Sequence, residues 1–163
     1  MKYEKDIILF VDNKIFEEIK QCVEQASPNE ACGLVFGDIE ESKNENNENE
    51  YSYYYNAYKF ECIESSHKSP IAFLIDDYEE LINLSRLYSN DFNYQLISIF
   101  HSHPASAYPS GIDIPYIESY YKSKISKFKH LIWSIMNAES KELNGFIFIF
   151  NELRQIQIQI KKK

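Results

Sequence analysis

Apolar residues recur along this chain with two different periods, and the switches between them mark the elements. Ile7-Ile8-Leu9-Phe10-Val11 is a short unbroken run of strand type. Beyond it Ile15, Ile19, Cys22, Val23 and Ala26 fall at helical spacing, with Asp12 or Asn13 placed to cap and Pro28 to end the helix. Gly33 to Gly37 reads as a buried strand, Tyr51 to Cys62 as a second and Ile71 to Ile75 as a third. Asp76-Asp77-Tyr78-Glu79 opens a helix in capping-box fashion, its acids complementing the helix dipole. Tyr78, Leu81, Ile82, Ser85 and Tyr88 line one face of that helix. Leu96 to Phe100, Leu131 to Met136 and Phe146 to Phe150 are further apolar strands, and Pro115 suits the first turn of a short helix carrying Tyr116, Ile117, Tyr120 and Tyr121. Gln155 to Ile160 alternates with period two, which predicts a strand with one wet face at a sheet edge. The expected fold is α/β or α+β, a curved mixed β-sheet flanked by helices.

Composition narrows the class. The 163 residues suit one domain spanning 1–163, long enough to bury about 70% of its unfolded surface without a disulfide or metal staple. No run approaches the roughly 18 apolar residues of a membrane span, and the N-terminal apolar run is too short for a signal peptide, so a cytoplasmic protein is expected. The net charge of −8 counts against nucleic-acid binding, which rests on neutralising phosphates. Residues 38–50 hold six acids and one Lys, so that stretch carries −5 of the total and is expected to be a solvated, flexible acidic loop. Cys22, Cys32 and Cys62 form no close-spaced pair, and one must stay unpaired, so no disulfide framework and no zinc ribbon are expected.

The chemistry concentrates in the stretch Leu96 to Asp113. His101 and His103, two residues apart at the end of an apolar strand, point to one side and can reach one cation. Asp113 follows His103 by ten residues at the start of a helix, where it can fold back as a third ligand. Two imidazoles and a carboxylate leave the fourth tetrahedral position of Zn²⁺ open for water, the mark of a catalytic site. An isolated H-x-H pair is usually a surface feature; Pro104, Pro109, Ser110 and Asp113 following in pattern set this one apart.

The motif H-S-H-P…P-S-x-x-D, preceded by P-N-E-A-C-G-L-V-F-G, resembles the signature of the JAMM (MPN+/JAB) zinc metalloprotease family. The resemblance runs from the first helix to the Phe146–Phe150 strand. It implies a cytidine-deaminase-like architecture, one catalytic zinc held by His101, His103 and Asp113, Glu30 as general base, and Ser110 as the hydroxyl that helps hold the oxyanion. It also implies a single-domain hydrolase of peptide or isopeptide bonds following ubiquitin or a ubiquitin-like protein, as precursor or conjugate. The 16 residues between Asp113 and His130 leave no room for a long second insertion, so little choice among linkages is expected.

Two other functions fit parts of the sequence. A non-catalytic MPN scaffold subunit would keep the fold, but such relatives lack ligands that this chain has. A RadC-like role in DNA metabolism shares the ligand pattern but commonly shows H-N-H-P-S-G where this chain has H-S-H-P-A-S. Other residues read as structure: His67 as loop, His130 as surface, Cys32 as a small buried hydrophobe. Lys122, Lys124, Lys127 and Lys129 read as a solvated stripe, and Tyr53-Tyr54-Tyr55 as strand.

Overall fold

The structure, a computed structural model, describes residues 4–63, 78–123 and 130–161. Seven strands appear among them: β1 (Glu4–Asp12), β2 (Cys32–Lys43), β3 (Tyr51–Ile63), β4 (Gln95–His103), β5 (Ile132–Asn137), β6 (Leu143–Ile149) and β7 (Glu152–Lys161). The helices described are α1 (Asn13–Ala26), α2 (Tyr78–Phe92) and α3 (Asp113–Lys122). The expected Ile71–Ile75 strand, the Asp76-Asp77 helix start, His67 and Lys124, Lys127 and Lys129 lie outside the described residues.

The strands form a closed barrel in the order β1-β3-β2-β4-β5-β6-β7, which corrects the expectation of a curved sheet flanked by helices. Closure is made by β7, which runs parallel to β1 from Ile8↔Gln157 to Asp12↔Lys161. Its first half pairs instead with β6, from Ile149↔Glu152 to Gly145↔Ile156. The strand therefore has a neighbour along each half, β6 and then β1, and does not lie at a free edge over its whole length. Its Gln/Ile alternation reports one wet face and one packed face, and Ile156 and Ile158 pack on the core. A strand with two neighbours carries the same pattern.

Two apolar clusters lie against the strands. Ile15, Ile19, Cys22 and Val23 of α1 join Leu9, Val35, Tyr55, Ile97 and Phe100 in one. Leu81 and Tyr88 of α2 and Ile117 and Tyr120 of α3 join Leu34, Phe36, Ile99 and Trp133 in the other. Burial on both faces explains the unbroken apolar runs in β2, β4 and β5, where a half-exposed strand would alternate. Asp12 caps α1 by accepting from the Ile15 N–H at 2.8 Å, an arrangement worth about 1 kcal/mol.

Two features depart from the sequence reading. Strand β2 continues through Lys43, so only 44–50 of the expected 38–50 loop are turn. Glu40 and Glu41 pair across the hairpin with Tyr54 and Tyr53, and the Tyr53 hydroxyl donates to Glu41 at 3.0 Å. Tyrosine partners give these acids a place in a strand that their composition argued against. Cys22 and Cys62 are joined by a disulfide, with Cα atoms 5.7 Å apart, while Cys32 is buried and takes no part in a disulfide. The bond forms because α1 lies across β3, which brings together residues 40 apart in sequence.

Candidate metal centre

Strand β4 lies between β2 and β5 and is buried along nearly all its length. Its last three residues are His101-Ser102-His103, so pleating sends both imidazoles to one side and Ser102 to the other. The β2 pairing ends at Cys32↔His101, which places Glu30, in the loop between α1 and β2, beside the end of β4. Helix α3 begins at Asp113 and returns that carboxylate to the histidines.

The three groups meet on one atom. Asp113 Oδ2 lies 3.2 Å from His101 Nε2 and 2.9 Å from His103 Nε2, and it accepts from the Ser110 N–H at 2.7 Å. His101 and Asp113 are almost fully buried, and His103 is half-buried. One donor atom from each of the three lies within 4.8 Å of the others, so these residues can hold a metal ion at their common focus. Two imidazole nitrogens and a carboxylate oxygen match the borderline-soft donor set that Zn²⁺ takes in catalytic sites.

Glu30 and Ser110 stand beside this focus. Glu30 Oε1 is 3.3 Å from His103 Nδ1 and half-buried. The Ser110 hydroxyl accepts from the Asp113 N–H at 3.2 Å, which leaves its own proton free to donate elsewhere. The charges support one another. Hydrogen bonds to Asp113 and then to Glu30 lift the His103 imidazole to about 9, against the smaller pull of burial. Burial by itself would raise the Asp113 carboxyl; hydrogen bonds from His101 and His103 overcome it and hold the group well below the usual carboxylate range.

Other sequence candidates lie elsewhere or are structural. The His130 carbonyl accepts from the Tyr55 hydroxyl, and its ring packs on Tyr121. Burial pushes the Cys32 thiol up to about 12, which removes it as a nucleophile. Tyr53 and Tyr55 are core residues, and Lys122 pairs with Glu118 on α3. Sequence reasoning missed Ser102, a fully buried polar residue whose position between two histidines of one face was the available signal.

The family model for prokaryotic homologs of the JAB domain matches residues 12–141. No curated protein matches the chain. A solution structure of protein DSY2949 from Desulfitobacterium hafniense is similar in fold, with a TM-score of 0.64 at 24% identity, over 96% of this chain and 94% of that one. No helix among the described residues is long and apolar enough to cross a membrane.

Proposed function

The chain belongs to the prokaryotic homologs of the JAB domain, and from that premise we propose that it is a zinc-dependent peptidase. Its substrate on this reading is the peptide or isopeptide bond that follows ubiquitin or a ubiquitin-like protein. The observation that carries the proposal is the convergence of His101 Nε2 and His103 Nε2 on Asp113 Oδ2, with the Glu30 carboxylate one hydrogen bond away. A structural role alone gives no reason to turn two imidazoles and a carboxylate toward one point at the end of a barrel strand.

His101, His103 and Asp113 would hold the ion. Zinc, if bound there, would supply a Lewis acid that lowers the pKa of water toward neutrality. Glu30 accepts the proton of the attacking water and delivers it to the departing amine, general acid–base help that contributes about 10²–10⁴-fold. The Ser110 hydroxyl, with its lone pair engaged by the Asp113 N–H, donates its proton to the developing oxyanion. One such donor is worth about 3–4 kcal/mol in other acyl-transfer sites. The Ser110 N–H to Asp113 bond fixes the carboxylate against the histidines, so the ligand set is formed before a substrate arrives.

A panel of fusions, each joining a ubiquitin-like protein to a reporter through its C-terminal tail, tests the proposal. The zinc-loaded protein is expected to cut at the end of the ubiquitin-like moiety, and Glu30→Gln to cut about 10²–10⁴-fold more slowly. Cleavage by Glu30→Gln at the wild-type rate, or no cleavage of any fusion by protein carrying zinc, contradicts it.

A further inference from the structure

Ser102 is about 1% exposed, and the proposed chemistry leaves it no task. Its hydroxyl oxygen accepts from the Ala31 N–H at 2.8 Å, and its own N–H donates to the Ala31 carbonyl at 3.1 Å. Residue 31 is thus gripped on both polar groups by one residue of β4. In a regular antiparallel pair the acceptor for the Ala31 N–H would be the backbone oxygen across the ladder. Here a side chain takes that place, one step beyond the last regular pair, Cys32↔His101. The chain before Ala31 is released from the sheet at that point, and the next residue back is Glu30, whose carboxylate reaches His103 Nδ1.

We infer that Ser102 is a positioning residue for the general base. By accepting from the Ala31 amide it ends the β2–β4 ladder with a side-chain bond and holds Glu30 facing the metal-ligand cluster. The two functions of the H-S-H triplet divide by strand pleat, with the histidines turned to Asp113 and the serine turned to the loop that brings the base. The inference deepens the proposed hydrolase reading and rests on it for its kinetic part, while its structural part stands without any activity.

Ser102→Thr and Ser102→Val test this as a matched pair, equal in size and differing in the hydroxyl. In zinc-loaded protein Ser102→Val is expected to lose about 10²-fold in kcat, the scale of a misplaced catalytic group, with KM and zinc content unchanged. Ser102→Thr is expected to recover most of that loss. In a Glu30→Gln background Ser102→Val should have no further effect, because the residue acts through Glu30. By hydrogen exchange the Ala31 amide is expected to be protected in the wild type and in Ser102→Thr, and to open in Ser102→Val while the Cys32 amide stays protected. Equal rates for the Thr and Val variants, the same penalty with and without Glu30, or an Ala31 amide indifferent to the hydroxyl would overturn the inference. If the wild type cuts no fusion, the hydrolase reading fails, and the Ala31 exchange pattern alone decides whether Ser102 holds the loop. If Ser102→Val does not fold, an unprotected Ala31 amide in the wild type or in folded Ser102→Thr is the contradicting result.

Discussion

Reduction of the Cys22–Cys62 bond offers a sharp quantitative test of the fold. The bond joins the last turns of α1 to the end of β3 and closes a loop across 40 residues of sequence. The chain-entropy relation gives a loop of that length about 4 kcal/mol of stabilisation, acting mainly through the unfolded state. For a domain of this size each kcal/mol moves the melting temperature by roughly 2–4 °C, so reduction should lower it by roughly 8–16 °C. Cys62 is exposed and Cys22 buried, so a small dithiol reaches the bond through the Cys62 sulfur. The assay pairs thermal unfolding with thiol counting under denaturing conditions. Protein purified without reductant is expected to show one thiol, Cys32, and after dithiothreitol all three. Three free thiols before reduction, or a melting temperature that reduction leaves unmoved, refutes the pairing.

Three further outcomes follow from the same geometry. In metal-free protein the His103 imidazole is raised to about 9 from 6.5, so the native state holds an extra proton across that interval. Its contribution is full below about 6.5 and is lost as pH rises through about 9. Zinc reverses this sign, because a ligating imidazole must be neutral; melts from pH 6.5 to 9 should show a falling metal-free stability and a growing zinc-induced gain, and parallel curves contradict it. A Cβ at Gly37 would lie 1.8 Å from the Asn56 backbone oxygen, at an irregularity in the β2–β3 register; Gly37→Ala should therefore cost about 2–3 kcal/mol or more in urea unfolding, and a loss under about 0.5 kcal/mol argues against this close approach. With no long insertion between Asp113 and His130, rates on differently linked ubiquitin-like dimers should lie close together, and strong preference for one linkage would show that other surfaces select the substrate.

The elements themselves were largely legible in the sequence because their signals are local. The spacing of Ile15, Ile19, Cys22 and Val23 marks α1, and these are the residues it buries. The unbroken runs in β2, β4 and β5 announce strands buried on both faces. The grouping of His101, His103 and Asp113 was legible for the same reason, since H-x-H at a strand end and an Asp at a helix start each follow from one element's geometry. What escaped depends on partners distant in the chain. Alternation in β7 says which face is wet, but its parallel pairing with β1, over a hundred residues earlier, is decided by how the sheet curls. The disulfide waits on where α1 is laid across β3, and no spacing rule connects Cys22 with Cys62. Glu40 and Glu41 look like loop residues until the tyrosines of β3 stand opposite them. Ser102 shows its use only once Ala31 is beside it.

The claim that His101, His103 and Asp113 hold one catalytic zinc is tested most directly by metal content, measured by mass spectrometry on protein purified without added chelator or metal. Wild type and Glu30→Gln are expected to carry one zinc ion per chain, and His103→Ala far less, since it removes one of three ligands. A wild type without zinc, or with iron in its place, contradicts the account, as does a His103→Ala variant that keeps its zinc.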